Sequence, residues 1–194
     1  KTQFFLVIYK DCSIDNEVNP TQLTVSNVPG ITSLPIDLVG DYPQDVTPAQ
    51  CNLTCDDEVQ DVSMEKYLFA TEPVELPGIP PPTGYTFSLS LCCRIDAQNL
   101  VGSVFENLFV SATMYPFNNQ SAFPCFDSSP QFLEPPQPLT CAGSQIRYNS
   151  NAIDSDLDSL TYSFTAARIG APSSPDPNAS LPATYENGFS AQQP

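Results

Sequence analysis

Three aspartates stand at alternate positions, Asp154, Asp156 and Asp158, in the stretch Asn151-Ala-Ile-Asp-Ser-Asp-Leu-Asp-Ser-Leu-Thr-Tyr-Ser-Phe164. Carboxylates this close repel one another unless a cation or solvent neutralises them. A hard cation such as calcium, which takes about six to eight oxygens, suits such a cluster. A solvated acidic turn has the same composition, and the spacing leaves both readings open. An EF-hand is excluded. Counted from Asp154, its obligatory Gly and Glu positions hold Ser159 and Thr165. After the turn, Leu160, Tyr162 and Phe164 alternate with Thr161, Ser163 and Thr165, which predicts a strand. Asp56, Asp57, Glu58 and Asp61 form a second acidic group in a loop-like stretch, better read as solvated loop than as a cation site.

The other reactive side chains are seven cysteines, Cys12, Cys51, Cys55, Cys92, Cys93, Cys125 and Cys141, in a chain without histidine. Neither Cys51-x-x-x-Cys55 nor the adjacent Cys92-Cys93 makes the paired CxxC knuckles of a zinc ribbon. Disulfides are the better reading, and they imply an oxidising, extracytoplasmic compartment. The odd count leaves one thiol free or bonded outside the chain. Three bridges among seven cysteines allow about 105 pairings. Cys125 with Cys141, across the second domain's entry, is the favoured pair, and Cys93 is placed on the core face of its strand.

Catalysis finds little support. Without histidine there is no Ser-His-Asp or Cys-His arrangement. The chain has neither G-x-S-x-G nor a phosphate-binding glycine loop. Acids abundant enough for glycoside hydrolysis are present, but nothing marks two of them as sharing a cleft. The chain is expected not to be an enzyme.

The elements that must position these groups read as strands. Proline is plentiful at 21 of 194 residues, and Phe and Tyr number 12 and 8. Proline breaks helices, whereas aromatic side chains suit strands. Phe4 to Tyr9 is apolar on both faces and predicts a buried strand. Leu23 to Val25 and Ile36 to Val39 are shorter candidates. Val62 to Ala70 reads two ways: Val62, Lys66 and Phe69 have a weak helical spacing, but Tyr67 to Thr71 followed by Val74 to Leu76 fits strands better. Tyr85 to Cys93 alternates most clearly, with Tyr85, Phe87, Leu89, Leu91 and Cys93 on one face. Leu108 to Tyr115 alternates likewise, and Leu139 to Cys141 and Ile146 to Tyr148 follow. A turn-rich, Pro-rich stretch from Pro116 to Pro138 places a domain boundary near Asp127.

The net charge is −16, with 22 acids against 6 bases. Phosphate backbones and anionic headgroups need a basic surface, so nucleic acid and anionic membranes are excluded as partners. No transmembrane run or targeting signal is visible, and no direct membrane insertion is expected. The chain opens in mid-strand and is expected to be a segment of a longer protein.

Ala152-Ile-Asp-Ser-Asp-Leu-Asp-Ser-Leu-Thr-Tyr-Ser resembles the A-x-D-x-D-x-D-x-L-x-Y-S signature of cadherin-like and dystroglycan-type repeats, with Leu157 where Gly is usual. Asp127-Ser-Ser-Pro-Gln-Phe132 is similar to the linker that opens such a repeat. In that family calcium sits between domains, and the resemblance implies Asp127, Asp154 and Asp156 as ligands, with Asp158 behind them. The wider order is Tyr9-Lys-Asp-Cys12, Tyr85-x-Phe-x-Leu-x-x-Cys92-Cys93-Arg94, Ser129-Pro-x-Phe132, Cys141-Ala-Gly, the aspartate turn, then Tyr185-Glu-Asn-Gly-Phe-Ser190. It resembles the large secreted, gliding-motility-associated surface adhesins of Bacteroidota. That resemblance implies export, surface display and adhesion without catalysis. Asp158-Ser159-Leu160 also fits an O-glycan acceptor pattern, though chance matches are common.

The expected fold is all-β, with tandem Ig-like or cadherin-like β-sandwich domains. A Cys-containing sandwich is placed over residues 1–126 and an incomplete cadherin-like sandwich over residues 127–194, since a full sandwich needs about 100 residues. The expected function is a non-catalytic segment of an exported cell-surface adhesin or filament for attachment and gliding, stiffened by calcium. Its expected partners are other domains of the same chain, with surface polysaccharide or the motility and secretion machinery beyond them. A carbohydrate-binding module or a pilus-type subunit is the alternative.

Overall fold

The computed structural model describes residues 1–13, 17–47, 54–55, 63–92, 97–102, 107–116, 128–133, 149, 151–170 and 180–192. Among them are strands and turns but no helix. The fold is all-β, with several antiparallel sheets consistent with a sandwich-like fold. Contacts gather the chain into two compact units. One comprises Lys1–Asn19, Ile36–Val74 and Asp127–Leu160, and the other Pro20–Pro35, Glu75–Phe126 and Thr161–Pro194. Both units therefore use chain from either side of Asp127.

In the first unit, β1 (Phe5–Asp11) pairs along its whole length with β6 (Met64–Ala70). The far side of β6 is filled by two short strands, β4 (Asp37–Leu38) and β5 (Gln44–Asp45). Leu38 faces Phe69 and Gln44 faces Lys66, so six residue steps on one side answer three on the other. This edge is one strand interrupted by a bulge, where Gly40 has a positive φ and the Tyr42–Pro43 bond is cis. The acidic loop expected from Gly40 onward therefore holds a short strand. Within the same unit, β9 (Gln131–Phe132) pairs with β10 (Ala152–Ile153).

The expected burial of both faces of β1 does not hold. Phe5 and Val7 are 63% and 44% exposed, while Leu6 and Ile8 are half-buried beside Phe69 and Tyr67. An apolar run shows that a strand can be covered on both faces. Whether it is covered depends on what else packs there.

In the second unit, β3 (Ser33–Pro35), β2 (Gln22–Ser26), β7 (Tyr85–Leu91) and β8 (Leu108–Met114) form a sheet in that order. The alternation of β7 is realised: Tyr85, Phe87 and Leu89 are all buried. Phe87 lies between Val25 and Ala112. The opposite face is partly covered too, with Ser88 and Phe109 buried. The hairpin of β11 (Arg168–Gly170) and β12 (Ser180–Pro182) belongs to this unit. A Cβ at Gly170 would come 2.7 Å from Ser90 Oγ, so a residue without a side chain permits this close approach. Gly84 launches β7 with φ +78°, and a Cβ there would collide with the Thr113 side chain.

Two further expectations fail. Residues 157–167 form no strand, and Tyr162 and Phe164 are 62% and 79% exposed. Val74 makes only an isolated bridge to Thr2. The expected strands at 139–141 and 146–148 lie outside the described residues.

Candidate functional site

The aspartate turn is built around Asp154. Its Oδ1 accepts the backbone N–H of Asp156 at 2.8 Å and of Asp158 at 3.3 Å. Leu157 N–H donates to the Asp154 carbonyl, and Leu157 adopts φ +67°. Asn and Asp side chains favour such turns because they accept backbone donors a short way ahead. Leu157 thus occupies a left-handed position that suits Gly, and its side chain is 91% exposed. Asp156 reaches across to the other segment: its Oδ2 accepts Ser128 N–H at 2.6 Å. The β9–β10 pairing holds Gln131 and Phe132 beside Ile153 and Ala152. The structure therefore brings Asp154 and Asp156 together with the 128–132 segment. Asp158 enters through its backbone, and Asp127 lies outside the described residues.

A second constellation occupies one face of the first unit's sheet. In an antiparallel pair, directly opposed residues share a face. Lys10 opposes Glu65, Ile8 opposes Tyr67 and Leu6 opposes Phe69, while Asp45 opposes Glu65 from the other side. This face grades from apolar at Phe69 to charged at Glu65, and it ends at a disulfide between Cys12 and Cys55. The bridge closes a sequence separation of 43 residues. Restricting the unfolded chain over a loop of that length is worth about 4 kcal/mol on a chain-entropy basis.

Both half-cystines are also held by their backbones. Cys12 N–H donates to the Ser63 carbonyl at 3.0 Å. The Ser63 hydroxyl, fully buried, donates to the Thr54 carbonyl at 3.0 Å. Cys55 N–H donates to Asp45 Oδ2 at 2.9 Å, while Asp45 Oδ1 accepts Thr47 N–H at 2.8 Å. The Thr47 hydroxyl holds the Asp45 carboxyl below its ordinary range, against the opposing effect of burial, and the Cys55 and Thr47 amides help.

Glu65 is oriented by Tyr67, whose hydroxyl donates to Glu65 Oε2 at 2.7 Å. Burial pushes the Tyr67 phenol up to about 12, and the hydrogen bond to Glu65 and the charges of Glu65 and Glu17 push the same way. An open hollow of about 410 Å³ lies on this face, lined by Lys10, Glu17, Val18, Asn19, Leu38, Tyr67 and Phe69. The Tyr67 and Phe69 rings are nearly parallel at 5°, with centroids 6.3 Å apart.

Of the candidate cysteines, Cys12 and Cys55 are thus paired. Cys92, exposed just beyond β7, is disulfide-bonded as well. Cys51, Cys93, Cys125 and Cys141 lie outside the described residues, as does the acidic group at Asp56, Asp57, Glu58 and Asp61. Sequence reasoning passed over Glu65, Tyr67 and Asp45. The alternation of Glu65, Tyr67 and Phe69 was the available signal, but which cysteines stood beside that face depended on strand pairing.

Comparison of the chain with family models, curated proteins and solved structures finds no match.

Proposed function

We propose that the chain is a non-catalytic, disulfide-stapled β segment of an exported cell-surface adhesin or filament of the gliding-motility type. The observation that carries this reading is the Cys12–Cys55 bridge in a strongly acidic, all-β chain. Such bridges persist in oxidising, extracytoplasmic settings. A surface fibre gains from them because a closed loop limits how far a pulled segment can extend. The contact between Ser128 and Asp156 supports a calcium-stiffened junction of these two segments within the first unit, since it sets the linker-like segment against the aspartate turn. Asp127, Asp154, Asp156 and Asp158 are the ligands proposed for calcium.

Thermal unfolding tests the junction. Calcium at about a hundredfold excess over its Kd stabilises a folded state by about 2.7 kcal/mol. The melting temperature of the wild type rises with calcium and falls back with chelator. Asp156→Asn keeps an acceptor for Ser128 N–H but removes the charge, and it loses this response. Identical melting with calcium and with chelator would sink the junction.

A second reading, carbohydrate binding, draws support from the hollow beside Tyr67 and Phe69, with Lys10, Glu17 and Asn19 at its margin. Aromatic floors with a few polar groups are common in small-ligand sites. Retention of the isolated chain on immobilised polysaccharide, lost in Tyr67→Ala, would favour it over a spacer.

A further inference from the structure

We propose that Cys12, Cys55 and Glu65 form a redox-gated site for zinc or an equally thiophilic divalent ion, occupied when the disulfide is reduced. The two Sγ atoms and a Glu65 carboxylate oxygen lie within 4.8 Å of one another. Among the described residues this is the one such group of three Cys, Asp or Glu side chains. Two thiolates and a carboxylate, with water in the fourth position, are a suitable ligand set for tetrahedral zinc.

The S–S bond is not what brings these residues together. Cys12 is placed by β1 and by its N–H bond to Ser63, and Cys55 by Asp45 and by Thr54, which Ser63 holds. Glu65 sits on the neighbouring strand with one carboxylate oxygen already engaged by Tyr67. Reduction removes none of these bonds. The Cα atoms, 5.4 Å apart, stay near one another while the side chains swing outward. A tetrahedral ion needs its two sulfurs only about 3.8 Å apart, given Zn–S bonds of about 2.3 Å. The three ligands carry one negative charge more than the ion neutralises. Lys10, the cross-strand partner of Glu65, supplies a compensating positive charge.

A small thiol reductant, taken twice, donates two electrons and two protons to the disulfide and leaves as its own disulfide. The two cysteine thiols then release their protons as the ion binds, and the Glu65 carboxylate completes the protein's ligands. Oxidation reverses the sequence and expels the ion. Disulfide and metal would then be alternative staples for the same corner of the sheet.

The test uses the full chain, reduced, with Cd²⁺ as the spectroscopic probe and Zn²⁺ as competitor. Thiolate-to-cadmium charge transfer counts bound metal. The reduced wild type is expected to bind one equivalent more than the Cys12→Ser/Cys55→Ser double variant, with Zn²⁺ displacing the Cd²⁺. Glu65→Gln is expected to weaken that equivalent about tenfold or more. A second measurement needs no variant. Zn²⁺ should slow alkylation of Cys12 and Cys55 together in the reduced wild type, as mapped by peptide mass. Equal metal stoichiometry in the reduced wild type and double variant would overturn the proposal. So would alkylation of the two cysteines at the same rate with and without Zn²⁺.

Discussion

Residues 85–89 and 160–164 carry the same kind of message in sequence. Each alternates large apolar side chains with Ser or Thr, and each follows a turn. Their fates in the structure are opposite. Tyr85, Phe87 and Leu89 are 2–6% exposed, and β7 has a hydrogen-bonded strand on either side. Tyr162 and Phe164 are mostly exposed, and their segment is in no described strand. Alternation states which side chains would share a face. It does not supply the flanking strands that satisfy backbone N–H and C=O groups, nor the layer that covers the apolar face.

The two launching turns differ in the same sense. Gly84 takes its positive φ without steric cost and lies tight against β8, with Met114 O only 3.0 Å from where a Cβ would be. Leu157 takes a similar φ with a full side chain and no cover. The buried strand starts from a residue suited to its geometry, and the exposed segment does not.

The sharpest way to break this contrast is to truncate the matching aromatics. Phe87→Ala is expected to cost about 3–5 kcal/mol, as for deletion of a packed aromatic. Phe164→Ala should change stability by less than about 0.5 kcal/mol. Denaturant unfolding measures both, and comparable losses would mean that Phe164 is buried in solution.

The turns come next. Gly84→Ala combines a left-handed alanine with a collision against Thr113, and about 3 kcal/mol of destabilisation is expected. Leu157→Gly should act in the opposite direction. It relieves about 1–2 kcal/mol of left-handed strain and adds about 0.5–1 kcal/mol of unfolded-chain entropy, for a net gain of about 0.5–1 kcal/mol. Denaturation midpoints are the readout, with a large fall for Gly84→Ala and a smaller rise for Leu157→Gly. A destabilised Leu157→Gly would show that the exposed leucine has a partner.

The last contrast concerns β6, which lies between the two extremes, with Phe69 buried and Tyr67 half-buried. The folded phenol of Tyr67 is raised to about 12, above its unfolded value of 10.0. The folded state therefore holds this proton more tightly. Its contribution is fully present below pH 10 and is lost as pH rises from there toward 12. Tyr67→Phe should flatten that alkaline decline, seen by following unfolding midpoints across the range. An unchanged decline would show that Tyr67 does not carry it.

Strand positions were most legible where the pattern was long: β1 falls on an apolar run, and β7 and β8 on alternating stretches. For β2 and β6 only short pieces carried a signal, and in β6 the adjacent Glu65 and Lys66 interrupt it. The aspartate turn was legible as a turn because Asp154 needs only its immediate neighbours to accept backbone donors. The association of residues 128–132 with that turn was visible only through a family resemblance, and the structure provides it physically through Asp156 and the β9–β10 pairing. The broken edge made by β4 and β5 was missed because each piece is two residues long, too short for any periodic signal.

By itself the sequence determined the all-β character, the acidic surface and the supply of cysteines, because composition and short-range periodicity act through the local backbone. Only the tertiary structure decided that Cys12 meets Cys55 beside Glu65, that Phe5 and Val7 are left open, and that Tyr162 and Phe164 stay outside a sheet. Each of these depends on which strands become neighbours. That choice rests on the free energy of pairing and covering distant segments, and no short window of sequence contains both partners.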